Sequence, residues 1–234
     1  MHDYLQETLY RPVDRKKFLR YTGLIGGTLM LGLSSCSKDD GPASNGGAID
    51  VGSGDTGILN FAYALEQLEA AFYIKVNAAF YTNATDAEKK ILSDIMNHEV
   101  AHRDFFKAAL STSAIGTLQF NWSAVDFTNR TAVLATAKAL EDTGVSAYNG
   151  AGRYIQNPDY LTLAGKIVSV EARHAAAIRD LINPKSADFA GDDVVAAATG
   201  LDFSRTPNST TGGPSIVATA NTFLTTKISA TKLP

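Results

Sequence analysis

Four stretches of helical period, joined by a short, a long and a short connection, constrain this chain most. The first, "ILNFAYALEQLEAAFYIKVNAAFY", spaces apolar residues three and four apart; Asp55 or Thr56 stands where a cap would open it, and the pattern runs to about Tyr81. Thr85-Asp-Ala-Glu88 reads as a capping box, in which a hydroxyl and a carboxylate satisfy orphan backbone N–H groups, and opens a second helix to about Leu110. A third helix starts near Asn129 or Arg130 and reaches about Ile155. Asn157-Pro158 supplies the cap and first-turn proline of a fourth, which ends before Asn183-Pro184. About four residues join the first helix to the second and the third to the fourth, so each pair forms an antiparallel hairpin. The link between the hairpins, "TSAIGTLQFNWSAVDFT", is about 17 residues long. A 25-residue helix is roughly 38 Å long and 17 extended residues reach roughly 56 Å, so this link can return along the whole bundle. The pattern predicts an all-α four-helix bundle with one long crossover between the second and third helices.

The acidic residues on the apolar faces repeat. The first helix has Glu66 and Tyr73, "EQLEAAFY", and the third has Glu141 and Tyr148, "EDTGVSAY"; seven residues is two turns, so each pair shares a face. The second helix carries Glu99-x-x-His102 and the fourth Glu171-x-x-His174, and a spacing of three also keeps both side chains on one face. Each half is therefore E-x6-Y followed by E-x-x-H, with 33 positions between the glutamates of the first half and 30 in the second. Glu171 and His174 fall on the row Ile167, Glu171, His174, Ile178, Leu181, and Glu141 lies with Ala137, Val145 and Tyr148. These are core stripes.

Burying four carboxylates without compensation would cost several kcal/mol each, enough to unfold a domain of ordinary stability. The stripes offer no lysine or arginine to neutralise them. Two divalent metals would carry four positive charges against four carboxylates, with both histidines neutral. Oxygen-rich ligation with imidazole suits iron or manganese. A competing motif lies in the same helix: "HEVAH", His98 to His102, is the signature of a zinc metalloprotease, with His98 and His102 as ligands and Glu99 as general base. The second copy has Val170 before its glutamate, so only E-x-x-H repeats.

With these motifs, the chain resembles the ferritin-like superfamily, and more narrowly the bacterial ferritin-like domain proteins that share sequence with plant desiccation-related proteins. The resemblance covers roughly Thr56 to Asn183. It implies a ferritin-like four-helix bundle holding a di-iron or di-manganese centre. Carried over by motif, Glu66 and Glu141 would be terminal ligands, Glu99 and Glu171 bridges, and His102 and His174 nitrogen ligands. Tyr73 and Tyr148 would orient carboxylates across the bundle. Glu69, one turn from Glu66 on a similar face, is the alternative to Glu66. Gly144, one turn from Glu141, costs about 1 kcal/mol relative to alanine inside a helix, and leaves room at the metal or for close helix packing. The implied chemistry is ferroxidase, oxidation of Fe(II) by oxygen or peroxide, or disproportionation of peroxide. A non-catalytic alternative is an envelope protein whose metal staples the bundle, with binding or desiccation protection as its role.

The rest of the chain frames this domain. The composition, 45% apolar and 19% charged, suits one well-buried core plus appendages, and the net charge of −3 gives no footprint for nucleic acid. The single cysteine, Cys36, excludes disulfides within the chain. Five basic residues (Arg11, Arg15, Lys16, Lys17, Arg20) precede an apolar run from about Leu24 to Leu33, followed by Leu33-Ser34-Ser35-Cys36. This order is that of a signal peptide over residues 1–35. Its end resembles a bacterial lipobox, which implies lipid on Cys36, a membrane partner and a place in the cell envelope, periplasmic or surface-exposed. "DRKKFLR" is similar to a twin-arginine motif with Lys16 at the second arginine. Residues 36–55, rich in Gly, Ser and Asp, read as a flexible tether. Residues 184–234 form an extension, with a short helical patch in "SIVATANTFLTTKI", that packs on the bundle or a partner. Tether and tail add few apolar stripes, so residues 56–183 are expected to fold alone. Oligomeric state is left open.

Overall fold

Each helical stretch becomes a helix for the reasons its ends supply. In the computed structural model, which describes residues 47–191, 206–210 and 214–234, α1 spans Gly54–Ala78, α2 Asp86–Leu110, α3 Arg130–Gly152 and α4 Pro158–Ile182. The signal and lipidation readings and most of the tether lie outside the described residues. Thr85 and Glu88 form the capping box: the Glu88 N–H donates to Thr85 Oγ1 at 3.2 Å and the Thr85 N–H to Glu88 Oε2 at 2.8 Å. Arg130 Nε donates to the other Glu88 oxygen at 2.6 Å, tying the start of α3 to the start of α2. Asn129 and Asn157 cap α3 and α4.

Asp55 does something else. It lies inside the first turn of α1, whose N-cap is Ser53, and its carboxylate accepts from the backbone N–H groups of Gln156 and Asn157 at 2.9 and 2.8 Å. The carboxylate therefore holds the α3–α4 turn against the start of α1. Two elements also stop earlier than expected, α1 at Ala78 and α3 at Gly152; Tyr81, Tyr154 and Ile155 still pack on the core from the turns that follow.

The helices associate as two hairpins, α1 with α2 and α3 with α4. The crossover runs the length of α1. Near its beginning, Asn60 accepts from the Ile115 N–H at 2.9 Å and donates to the Ser113 carbonyl at 2.9 Å; further along, Gln67 accepts from the Leu118 N–H at 2.9 Å. Phe72 then meets Trp122 at a centroid distance of 5.7 Å, and the Thr82 N–H donates to the Thr128 carbonyl. Buried amides on α1 thus satisfy backbone groups that a buried loop would otherwise leave orphaned.

The chain on either side of the bundle contributes more than its composition suggests. The end of the expected tether is docked: Ile49–Asp50 (β1) pairs in parallel with Ile228–Ser229 (β2), and Val51 is buried. Gly57 permits this approach, since a Cβ there would lie 2.6 Å from the Gly52 carbonyl carbon. A short helix, α5 (Ile216–Phe223), lies against α1 and α3, and Ile216, Ala220, Leu224, Ile228, Ala230 and Leu233 join the main apolar cluster. The described residues belong to one unit, Gly46–Pro234. Among them no helix is long and apolar enough to cross a membrane.

If the tail completes the core, Ile216→Ala and Leu224→Ala should each lower the unfolding free energy by about 2–4 kcal/mol. The measurement is the urea midpoint at unchanged slope. A loss below about 0.5 kcal/mol, the range of ordinary surface substitutions, would place α5 outside the cooperative unit.

Candidate metal centre

On each of the four bundle helices a glutamate lies between residues of two apolar clusters. Tyr63 and Tyr73 flank Glu66, Ile95 and Phe106 flank Glu99, Leu140 and Tyr148 flank Glu141, and Ile167 and Ile178 flank Glu171; in each case the two neighbours belong to different apolar clusters. All four glutamates are fully buried, and His174 is 5% exposed. His102 is half-buried. The only buried lysine or arginine among the described residues, Arg179, is bound to Asp142 at 2.6 Å.

The four helices bring the six residues together. His102 Nδ1 lies 2.9 Å from Glu171 Oε1, 3.3 Å from Glu66 Oε2 and 3.6 Å from Glu99 Oε2. His174 Nδ1 lies 2.7 Å from Glu99 Oε1, 3.5 Å from Glu141 Oε2 and 3.8 Å from Glu171 Oε2. Despite these approaches, both Nδ1 atoms, both oxygens of Glu99 and of Glu171, and one oxygen each of Glu66 and Glu141 have no hydrogen-bond partner. The atoms converge without hydrogen-bond geometry, as the ligand atoms of a cation do. They fall into two overlapping groups, Glu66, Glu99, His102 and Glu171, and Glu99, Glu141, Glu171 and His174, each with ligand atoms within 4.8 Å of one another. Glu99 and Glu171 belong to both.

The remaining oxygens of Glu66 and Glu141 are held by the tyrosines. Tyr73 of α1 donates to Glu141 Oε1 on α3 at 2.5 Å, and Tyr148 of α3 donates to Glu66 Oε1 on α1. Each tyrosine serves the glutamate of the opposite hairpin, so the repeated E-x6-Y closes on itself across the bundle. A family model described as a ferritin-like domain matches residues 54–184. The chain belongs to this family. No curated protein matches it. Within the ferritin-like family, the fold is an all-α bundle, and this member holds a buried carboxylate and histidine cluster compatible with a di-metal site.

Two residues at the cluster fall outside the six foreseen. Glu69, weighed in the sequence only as an alternative to Glu66, is buried beside it as a fifth carboxylate, with Oε2 unpartnered, and belongs to neither ligand group. Gly144 faces it; a Cβ at that position would meet Glu69 Oε1 at 3.0 Å and Glu171 Oε2 at 3.6 Å. The glycine therefore makes room for carboxylates. His98 is exposed, yet its Nδ1 lies 2.9 Å from His174 Nε2 and the rings stack. It stands outside both ligand groups, contacting the far nitrogen of a histidine that belongs to one.

Without metal the cluster stores protons. Burial, and then the charge of Glu99, push Glu66 up to about 7 against the pull of His102 and Tyr148. Burial and the neighbouring glutamates raise Glu69 and Glu171 well above the usual carboxylate range. Burial works against protonating the imidazoles, but Glu171, Glu66 and Glu99 hold His102 up at about 12, and Glu141 and Glu99 hold His174 at about 10. Burial likewise opposes ionisation of Glu99, and the two imidazoles outweigh it, drawing Glu99 down to about 2. A metal needs the imidazole lone pairs and the carboxylate charges, so binding expels these protons.

A pH dependence follows from these directions. Between pH 4.5 and about 7 the folded state keeps a proton on Glu66 that the unfolded chain releases, and above 6.5 it keeps protons on His102 and His174. The folded state binds more protons there, so stability falls as pH rises. Glu99 acts only under acid, between 4.5 and about 2, and the exposed His98, lowered by burial and by His174, opposes the trend as a single group. The chelator-treated protein should melt at a lower temperature at pH 8 than at pH 5.5, and added metal should raise the melting temperature more at pH 8. A metal-free melting temperature that climbs over that interval would contradict the proton inventory.

Proposed function

We propose that this chain is a di-metal carboxylate oxidoreductase anchored to the cell envelope, with dioxygen or peroxide as oxidant. What supports it is the sharing of Glu99 and Glu171 between two ligand groups, the arrangement that two adjacent ions require. In this reading Glu66 and His102 hold one ion, Glu141 and His174 the other, and Glu99 and Glu171 bridge them. Two redox-active divalent ions such as iron or manganese, when bound, supply two electrons to the oxidant.

The protein's own groups do the rest. Tyr73 and Tyr148 fix one oxygen of each terminal glutamate and leave the other facing the centre. His98 Nδ1, 2.9 Å from His174 Nε2, can accept the Nε2 proton, in which case Nδ1 keeps the lone pair a ligand needs. The apolar residues packed around the centre exclude water and strengthen every electrostatic interaction inside. The complete burial of the glutamates also favours a second reading, in which the metal only staples the bundle and the protein serves in binding or desiccation protection.

Metal analysis separates these readings from each other and from the zinc protease. The purified domain expressed with iron or manganese should hold close to two metals per chain, and Glu99→Ala should lose most of both. His98→Ala should keep the stoichiometry with affinity weakened roughly 10–100-fold, the usual effect of removing a ligand's outer partner, whereas a HEVAH zinc site would lose an obligatory ligand. Addition of Fe(II) should give oxidant-dependent oxidation faster than in Glu99→Ala. Bound metal with no rate above that control, for iron and for manganese with peroxide, would leave the staple.

The envelope reading rests on the apolar run and lipobox-like residues before Cys36. Anchoring by more than one acyl chain suits it, because a single chain binds membranes only marginally. Expression of Cys36→Ser with labelled fatty acid should give unlabelled protein. Label retained by that variant would remove the lipid anchor.

A further inference from the structure

The glutamates of the centre are fully buried, so an ion that reaches the folded protein must pass between helices. The two hairpins meet along two seams. In the first, α1 packs against α3; every residue of α1 from Gly57 to Ala70 is buried, and the crossover and α5 lie against the same helix. The second, between α2 and α4, has less cover. No residue of α2 between Glu99 and Phe106 is fully buried, and the His102 side chain, 13% exposed, is the most accessible of the six clustered residues.

At the level of the centre this second seam is closed by imidazoles. His98, exposed on α2 one turn before His102, reaches across to α4, where its Nδ1 lies 2.9 Å from His174 Nε2 and its ring stacks on that of His174 at a centroid distance of 5.1 Å. It touches the nitrogen of His174 opposite the one that faces the carboxylates, and it belongs to neither ligand group. One hydrogen bond and one ring face hold an exposed side chain there, and exposed side chains change rotamer within nanoseconds. We propose that His98 is a gate: ions enter and leave through the α2–α4 seam, past the His98 ring, which closes the seam while it lies on His174. Orienting His174 requires the nitrogen of His98, whereas gating requires the bulk of its ring. The inference rests on the reading of the cluster as a metal centre and involves no oxidation.

Cobalt(II), whose visible absorption changes when histidine and carboxylate bind it, follows loading of the chelator-treated protein without turnover, and excess chelator follows release. His98→Ala removes both nitrogen and bulk, and should speed loading severalfold and release still more. His98→Phe keeps a ring of similar size without the nitrogen; its affinity should fall as in His98→Ala, yet it should load no faster than the native chain. Ala101→Trp, at an exposed position three residues on and on the same face as His98, adds bulk over the seam and should slow loading and release alike with affinity unchanged. Loading that is no faster in His98→Ala, or equally accelerated in His98→Phe, overturns the gate, as does a loading rate that Ala101→Trp leaves unchanged. A native protein that binds no cobalt defeats the metal-centre reading itself and takes the gate with it.

Discussion

Five glutamates buried side by side at the centre of a helical bundle cannot be left as five charges. Each uncompensated carboxylate costs several kcal/mol, and a domain of this size has about 5–15 kcal/mol in total. The one arginine buried among the described residues is bound to Asp142. Protons relieve the strain in the metal-free chain, which is why Glu66, Glu69 and Glu171 resist ionisation while the imidazoles hold their protons. Divalent ions would relieve it at neutral pH, and the orphaned oxygens and Nδ1 atoms are grouped as ligands of such ions would be.

The surrounding fold makes that arrangement rigid. Each hairpin contributes two of the clustered glutamates and a histidine, and each lends its tyrosine to the other. This exchange fixes the hairpins against one another at the level of the cluster, since both tyrosines donate across the interface. The crossover, pinned by Asn60 and Gln67, and the α5 segment, packed under Leu224 and Ile228, cover α1 on its outer side and add to the larger apolar zone. The smaller zone gathers Phe106, Tyr148 and Ile167.

Much of this was legible because it rests on short-range rules. The Thr85 to Glu88 box, the asparagine caps and the E-x-x-H spacing need only local geometry, and connection lengths alone imply the hairpins. The tyrosine partners were only half legible. Tyr73 lies two turns, roughly 10.5 Å, from Glu66 and cannot reach it, so it must serve another helix, but the choice of Glu141 depends on helix register. Glu69 was legible only as a substitute for Glu66 and not as a fifth buried carboxylate beside it, because the space α3 leaves for it at Gly144 lies 75 positions later. Asp55 looked like a cap and serves a turn about 100 residues away. The tail's share of the core was hidden for a related reason: eight helical residues and a two-residue strand give too short a periodic signal, and their partners are distant in sequence.

The central claim is that the carboxylates are grouped to hold two adjacent ions. Anomalous diffraction at the absorption edge of iron or manganese, from crystals of the metal-loaded domain, tests it most directly. The account predicts two peaks roughly 3.5–4 Å apart, a spacing usual for paired catalytic ions, with Glu99 and Glu171 each contacting both. A single peak, or two peaks that share neither glutamate, would contradict it.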